Sequence, residues 1–203
     1  HKGVPPPNSQ QTPATNCREL NAQGRQSGVY WVVGQNPGTS MQVFCDNLNL
    51  GGGWTLIAKM ANETQAQSST PTWGYQSQLW TTGSTLNDNV GNINLSPGNF
   101  KSAAYSTTSF SEMHFSMSLG TGGFRPMFVQ RFGFTLPNAQ AAFNAPTPIT
   151  HGLPGRGSWI SWVAPYFSGY RWQNQPNCNH AGFNINGRGY ACRLGIAMNN
   201  END

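Results

Sequence analysis

Five tryptophan and tyrosine rings crowd residues 159–172 of this chain: Trp159, Trp162, Tyr166, Tyr170 and Trp172. Amides and a histidine follow at Asn177, Asn179, His180 and Asn184, and Asn199, Asn200, Glu201 and Asp203 stand in the closing run NNEND. Flat rings can cover the apolar face of a sugar, while amides and carbonyls can bond its hydroxyls. Calcium takes six to eight oxygen ligands and can tie down a diol. The five rings with His180 and Asn184 are therefore candidate ligand contacts. Asn177, Asn179, Asn199, Asn200, Glu201 and Asp203 are candidate calcium ligands. A strand points successive side chains to opposite faces, so about three residues of the closing run can share an ion. The same residue types also build a ring-rich core or a solvated polar end, and those uses stay open at this point.

Catalysis finds less material. The chain holds seven carboxylates: Glu19, Asp46, Glu63, Asp88, Glu112, Glu201 and Asp203. A glycosidase needs two, roughly 5–9 Å apart. Only Glu201 and Asp203 are close in sequence, at the end of the chain. No G-x-S-x-G elbow presents a nucleophile. The expectation is a non-enzyme, with a glycan hydrolase as the weakest alternative.

Charged residues make up 9% of the 203 residues, against about 25% in an ordinary globular domain. Asn, Gln, Ser, Thr and Gly take their place. The net charge of +4 comes from arginines and lysines that stand singly, so no phosphate-tracking stripe forms and nucleic acid is not the expected partner. No apolar stretch approaches the roughly 18 residues of a membrane helix, and no signal segment opens the chain. A secreted form would be one from which the signal has been removed.

The elements that must position these residues can be read in order. Residues 1–15, with four prolines, read as an extended tail or linker, a stalk through which an oligomer or extracellular assembly could form. Residues 16–203 read as one domain. Asn16 as N-cap with Glu19 three residues on resembles a capping box and predicts a short helix. SGVYWVV and MQVFCDN, separated by turn chemistry, predict an antiparallel hairpin. Asp46 reads as a turn-capping acid, Gly51–Gly53 as a tight bulged return, and WTLIAKM as a third strand with Trp54 over the disulfide end of the sheet. Residues 62–110 predict long ordered loops with short helical pieces. EMHFSMSL, RPMFVQRFGF and RLGIAM predict strands, and PNAQAAF a short helix. Asn62-Glu63-Thr64 is a glycosylation sequon; Asn94-Leu95-Ser96 is a second, weakened by the following Pro97.

Four cysteines, at 17, 45, 178 and 192, allow three pairings. Pairing neighbours, Cys17–Cys45 and Cys178–Cys192, gives one short loop near each end. No CxxC spacing suggests a metal–thiolate site, so structural disulfides and an oxidising compartment are expected.

Residues 17–57 resemble the opening of a fibrinogen C-terminal-like domain. The resemblance rests on Cys17, on Ser27-Gly28-Val29-Tyr30, on Val43-Phe44-Cys45-Asp46 and on Gly51-Gly52-Gly53-Trp54-Thr55, in that order. The intelectins, fibrinogen-related lectins, look similar here. Trp73–Leu86 is similar to a segment of such lectins, Cys178–Cys192 resembles the family's second disulfide, and His180–Asn184 resembles its Cys-His neighbourhood. The paired aspartates of the family's calcium loop are missing, and GYRWQNQPN occupies their place. The resemblance implies an α+β fold: an antiparallel sheet with short helices and extensive ordered loops. It implies a secreted, extracellular recognition domain that binds glycans or glycoproteins, with calcium as the candidate cofactor. A structural or adhesive subunit of an extracellular assembly is the alternative.

Overall fold

The computed structural model describes residues 8–61, 71–118, 124–145, 157–158, 161, 180–187 and 190–197. Short helices and antiparallel strand pairs make the fold α+β. The chain divides into two compact units, one from residues 1–72 and 82–108 and the other from 73–81 and 109–203.

The first unit begins where the local signals place it. Helix α1, Cys17–Ala22, is capped by Asn16, whose Oδ1 accepts from Glu19 N at 3.0 Å. The Glu19 carboxylate reaches back to Thr15 N rather than to the cap residue itself, at 2.6 Å. Strand β1 (Gly28–Val33) pairs antiparallel with β2 (Ser40–Asp46), and β2 with β3 (Trp54–Thr55). Cys17 and Cys45 are joined, tying α1 to β2. A closed loop of that span, 28 positions, stabilises by about 3.5 kcal/mol in the chain-entropy account. Leu20, Val32, Val43 and Ala104 pack around the disulfide as the core of this unit.

The chain is already fastened before α1. Asn8 clasps the backbone of Trp31, donating to its carbonyl at 2.8 Å and accepting from its N–H at 2.7 Å. Ala14 forms a parallel bridge with Val32.

The turn from β2 to β3 is built by short-range polar contacts. Asp46 accepts from Leu48 N, Asn49 N, Asn49 Nδ2 and Ser27 Oγ. Burial alone would push its carboxyl up, but these hydrogen bonds outweigh burial and hold it below the usual range. Gly51, Gly52 and Gly53 all have positive φ. Gly52 lies at φ 73° and ψ −177°, a region essentially closed to other residues. A Cβ there would stand 2.6 Å from both Asn21 Oδ1 and the Asn47 carbonyl. One on Gly53 would stand 3.0 Å from the Arg18 backbone. The glycines thus bring the turn down onto α1. Trp54 pairs with Asp46, beside the disulfide-bonded Cys45 at that end of the sheet. It is half-buried, with its indole N–H donating to the Asn49 carbonyl at 3.1 Å.

WTLIAKM is not one strand. It breaks at Leu56–Ile57 and serves two sheets: β3 joins β2, while β4 (Ala58–Lys59) pairs with β5 (Phe100–Lys101). The described residues between them, 60–61 and 71–99, hold irregular segments fastened by two buried lysines. Lys59 donates to the carbonyls of Asn92 and Ser96, each at 2.9 Å, and to Asn94 Oδ1 at 3.3 Å. Its three donors meet three acceptors. Asn94 also donates to the Gly91 carbonyl at 2.7 Å, so the amide nitrogen of this second sequon is used inside the loop. Lys101 has no exposed surface, donates to the Thr82 carbonyl and lies 4.4 Å from the Tyr105 ring centroid. Helix α2, Ala104–Thr107, follows it.

In the second unit β6 (Phe110–Ser118) pairs with β7 (Phe124–Leu136), and β8 (His180–Gly187) with β9 (Tyr190–Ala197). Helix α3, Ala139–Asn144, is capped by Asn138, whose Oδ1 accepts from Ala141 N. Strand β8 was not foreseen, since HAGFNING carries two glycines and little alternation.

Two stability predictions follow from these contacts. Gly51→Ala meets no neighbouring atom and should cost only the left-handed backbone penalty, about 1–2 kcal/mol. Gly52→Ala adds a backbone clash and should cost about 3 kcal/mol or more; equal losses in urea denaturation would contradict the close approach. Burial lowers the Lys101 pKa from 10.5 to about 8. Between those values the unfolded chain holds the extra proton, so unfolding free energy should rise as pH climbs from about 8 towards 10. That rise should be missing in Lys101→Met.

Candidate functional site around Asn184 and Arg193

Of the residues nominated above, Asn184 is the one whose side chain can be placed. Trp159, Trp162, Tyr166, Tyr170, Trp172, Asn177, Cys178, Asn179, Asn199, Asn200, Glu201, Asp203 and the sequon residue Asn62 lie outside the described residues. His180 opens β8, paired with Ala197.

Asn184 interrupts the β8–β9 ladder between the pairs Phe183–Leu194 and Ile185–Cys192. Its φ of 51° is left-handed, a conformation that asparagine tolerates better than most residues. The side chain is 6% exposed. Its amide donates to the Ala142 carbonyl at 2.8 Å and its carbonyl accepts from Arg193 at 3.0 Å. Both ends of the amide are therefore engaged inside the fold.

Arg193 gathers the rest. Its Nε donates to the Tyr75 carbonyl at 2.9 Å, and NH1 donates to the Phe143 carbonyl at 3.1 Å as well as to Asn184. The guanidinium lies over the Tyr75 ring, 4.4 Å from its centroid. One cation thus ties β9, the end of α3 and residues 73–81 together. From α3, Gln140 and Asn144 both donate to the Thr81 carbonyl. Trp80 is buried, with its indole N–H shared between the carbonyls of Trp73 and Gly74. Its ring packs 4.9 Å from Trp73, edge on, and 4.8 Å from Phe143. The Trp73 indole N–H is buried and meets no acceptor.

The result is a cluster of four rings, three amides and one fixed cation, in which polar groups and flat apolar rings lie side by side. Sequence reasoning missed Arg193, Tyr75 and Trp80 as parts of it. One signal was available: Arg193 is a lone cation inside the apolar strand run RLGIA, and a charge there needs acceptors from elsewhere.

Other chemistry is less well supplied. Among the described residues no three of His, Cys, Asp and Glu gather where they could hold a metal ion. His114 and Ser116 share one face of β6 and touch at 3.0 Å, but the next residue on that face, Glu112, has its carboxylate paired with Arg131 at 2.8 Å. Asp88 accepts from Ala103 N. Cys192 carries a free thiol; Cys178, its expected disulfide partner, lies outside the described residues. Cys192 is turned onto its own strand, with Sγ donating to the Leu194 carbonyl at 2.9 Å, and burial pushes the thiol pKa up. A groove of about 460 Å³ in the first unit is lined by residues such as Gln10, Pro13, Val33 and Thr39 and carries no ring.

Compared with known proteins, the chain matches no family model and no curated protein.

Asn184→Ala removes two buried hydrogen bonds and leaves the Ala142 carbonyl without that donor. It should destabilise by about 2–4 kcal/mol and speed amide exchange in residues 73–81. A loss of stability with unchanged exchange there would show that Asn184 does not hold the cluster through Arg193.

Proposed function

We propose that this chain is a secreted carbohydrate-recognition module, with glycans or glycoproteins as partners and no catalytic role. The observation that carries the reading is the cluster around Asn184, where the half-buried rings of Trp73 and Tyr75 adjoin a fixed, half-buried guanidinium and are backed by the buried Trp80 and Phe143. Saccharide recognition uses that combination of flat apolar surface and directed polar groups. The opening motif adds support. Its capped helix, hairpin, glycine turn and Cys17–Cys45 bond form one compact unit, in keeping with the resemblance to fibrinogen-related lectins. The disulfide is consistent with an extracellular setting, and among the described residues no helix is long and apolar enough to cross a membrane.

Calcium assistance belongs to the same proposal. The oxygen donors assigned to it, from Asn177 to Asp203, lie outside the described residues.

A second reading, a structural or adhesive subunit of an extracellular assembly, draws on the attachment of residues 8–14 along β1. A load on the N-terminal segment would pass directly into the sheet through Asn8 and Ala14.

A glycan array probed with the full chain, with calcium and with chelator, tests the first reading. Binding to a restricted set of glycans is expected, and no retained glycan under either condition would sink it. Thermal unfolding read alongside tests the ion: calcium at a hundredfold excess over its Kd should stabilise by about 2.7 kcal/mol. No shift removes calcium from the mechanism. A chain that retains no glycan and sediments as a concentration-dependent oligomer would favour the assembly reading.

A further inference from the structure

We infer that Arg193 anchors a site for an anionic group. Resting on the carbohydrate reading above, the ligand is a saccharide that carries a carboxylate or a sulfate. The argument starts from what the guanidinium touches. Its three contacts are the Tyr75 carbonyl, the Phe143 carbonyl and Asn184 Oδ1. All three are neutral. They fix the group in place without cancelling its charge. A guanidinium has five N–H donors, and here NH2 is left over, on a side chain that is only half-buried. Among the described residues no carboxylate pairs with it. Glu19, Asp46, Asp88 and Glu112 are engaged elsewhere.

Lys59, Lys101 and Arg131 do not share this condition. Lys59 has three acceptors for three donors. Lys101 is wholly buried. Arg131 is paired with Glu112. Arg193 combines a held geometry, a charge that no carboxylate among the described residues meets, and donors left over. A prefixed fork loses little freedom when it binds a carboxylate or sulfate, and charge-assisted bonds to such oxygens are about twice as strong as neutral ones.

The unused guanidinium donors favour a ligand that only accepts. Carboxylate and sulfate oxygens only accept, whereas a neutral sugar hydroxyl brings its own donor. The net charge of +4 adds weak long-range attraction for anions.

The test uses the full chain with labelled arginine side chains, followed by NMR. The probes are glucuronic acid, glucose and inorganic sulfate at matched ionic strength. Glucuronate should shift the Arg193 Nη signals, glucose should not, and raising salt should weaken the effect. Arg193→Lys keeps a cation but loses the fork, and should bind glucuronate about tenfold more weakly while its fold is retained. The wild-type shift stands as a test even if that variant unfolds. Glucuronate and glucose acting alike would overturn the inference. So would sulfate shifting Arg193 while glucuronate does not, since the saccharide assignment then fails. If the array retains neutral glycans and glucuronate leaves Arg193 unmoved, the inference falls and the carbohydrate reading survives. If Arg193 responds to both anions and the array retains nothing, the carbohydrate reading falls and the anion site remains.

Discussion

Lys59, Lys101 and Arg193 are held by neutral oxygen, and the ordering of the loops they touch depends on that. The chain has seven carboxylates for eleven arginines and lysines, so acids cannot answer every cation. Lys59 is met by two carbonyls and an amide, Lys101 donates to a carbonyl, and Arg193 to two carbonyls and an amide. Backbone carbonyls in irregular segments are the acceptors that no ladder satisfies, and leaving them unpaired in the interior is costly. Each buried cation therefore pins a loop: Lys59 the 92–96 segment, Lys101 the chain at Thr82, Arg193 the chain at Tyr75. This accounts physically for long stretches with little regular structure that nevertheless have defined positions. It also explains how low charge and ordered loops occur together. The acids that remain serve local turns, as Asp46 does.

Much of the first unit was legible because its signals are local. The Asn16 cap, the Asp46 turn, the hairpin and the glycine return each depend on residues within a few positions, and the structure has each of them. The failure there also has a local cause. WTLIAKM reads as one strand because nothing in those seven residues reveals that Phe100–Lys101 will take its second half.

The candidate site was hidden for the opposite reason. Asn184 was singled out, but its partners come from far along the chain. Arg193 reaches Tyr75 across 118 positions and Phe143 across 50. Periodicity and spacing carry no information about such pairs. What the sequence does show is the problem each pair solves: an arginine in an apolar strand, and an asparagine beside glycine and phenylalanine in a segment that becomes a strand.

The discontinuity of the second unit ties the proposed site to completion of the fold. Residues 73–81 belong to it although 82–108 return to the first unit. Their anchors on α3 and β9 close only when distant parts of the chain meet, and contacts of that separation form late because loop closure opposes them. The rings of Trp73, Tyr75 and Trp80 are positioned by the same hydrogen bonds that complete the unit. Formation of the cluster and completion of the fold are thus one event, and the guanidinium is oriented before any ligand arrives. A group fixed in advance loses little entropy on binding. The long-range contacts that made the site illegible in the sequence are the ones that make it rigid.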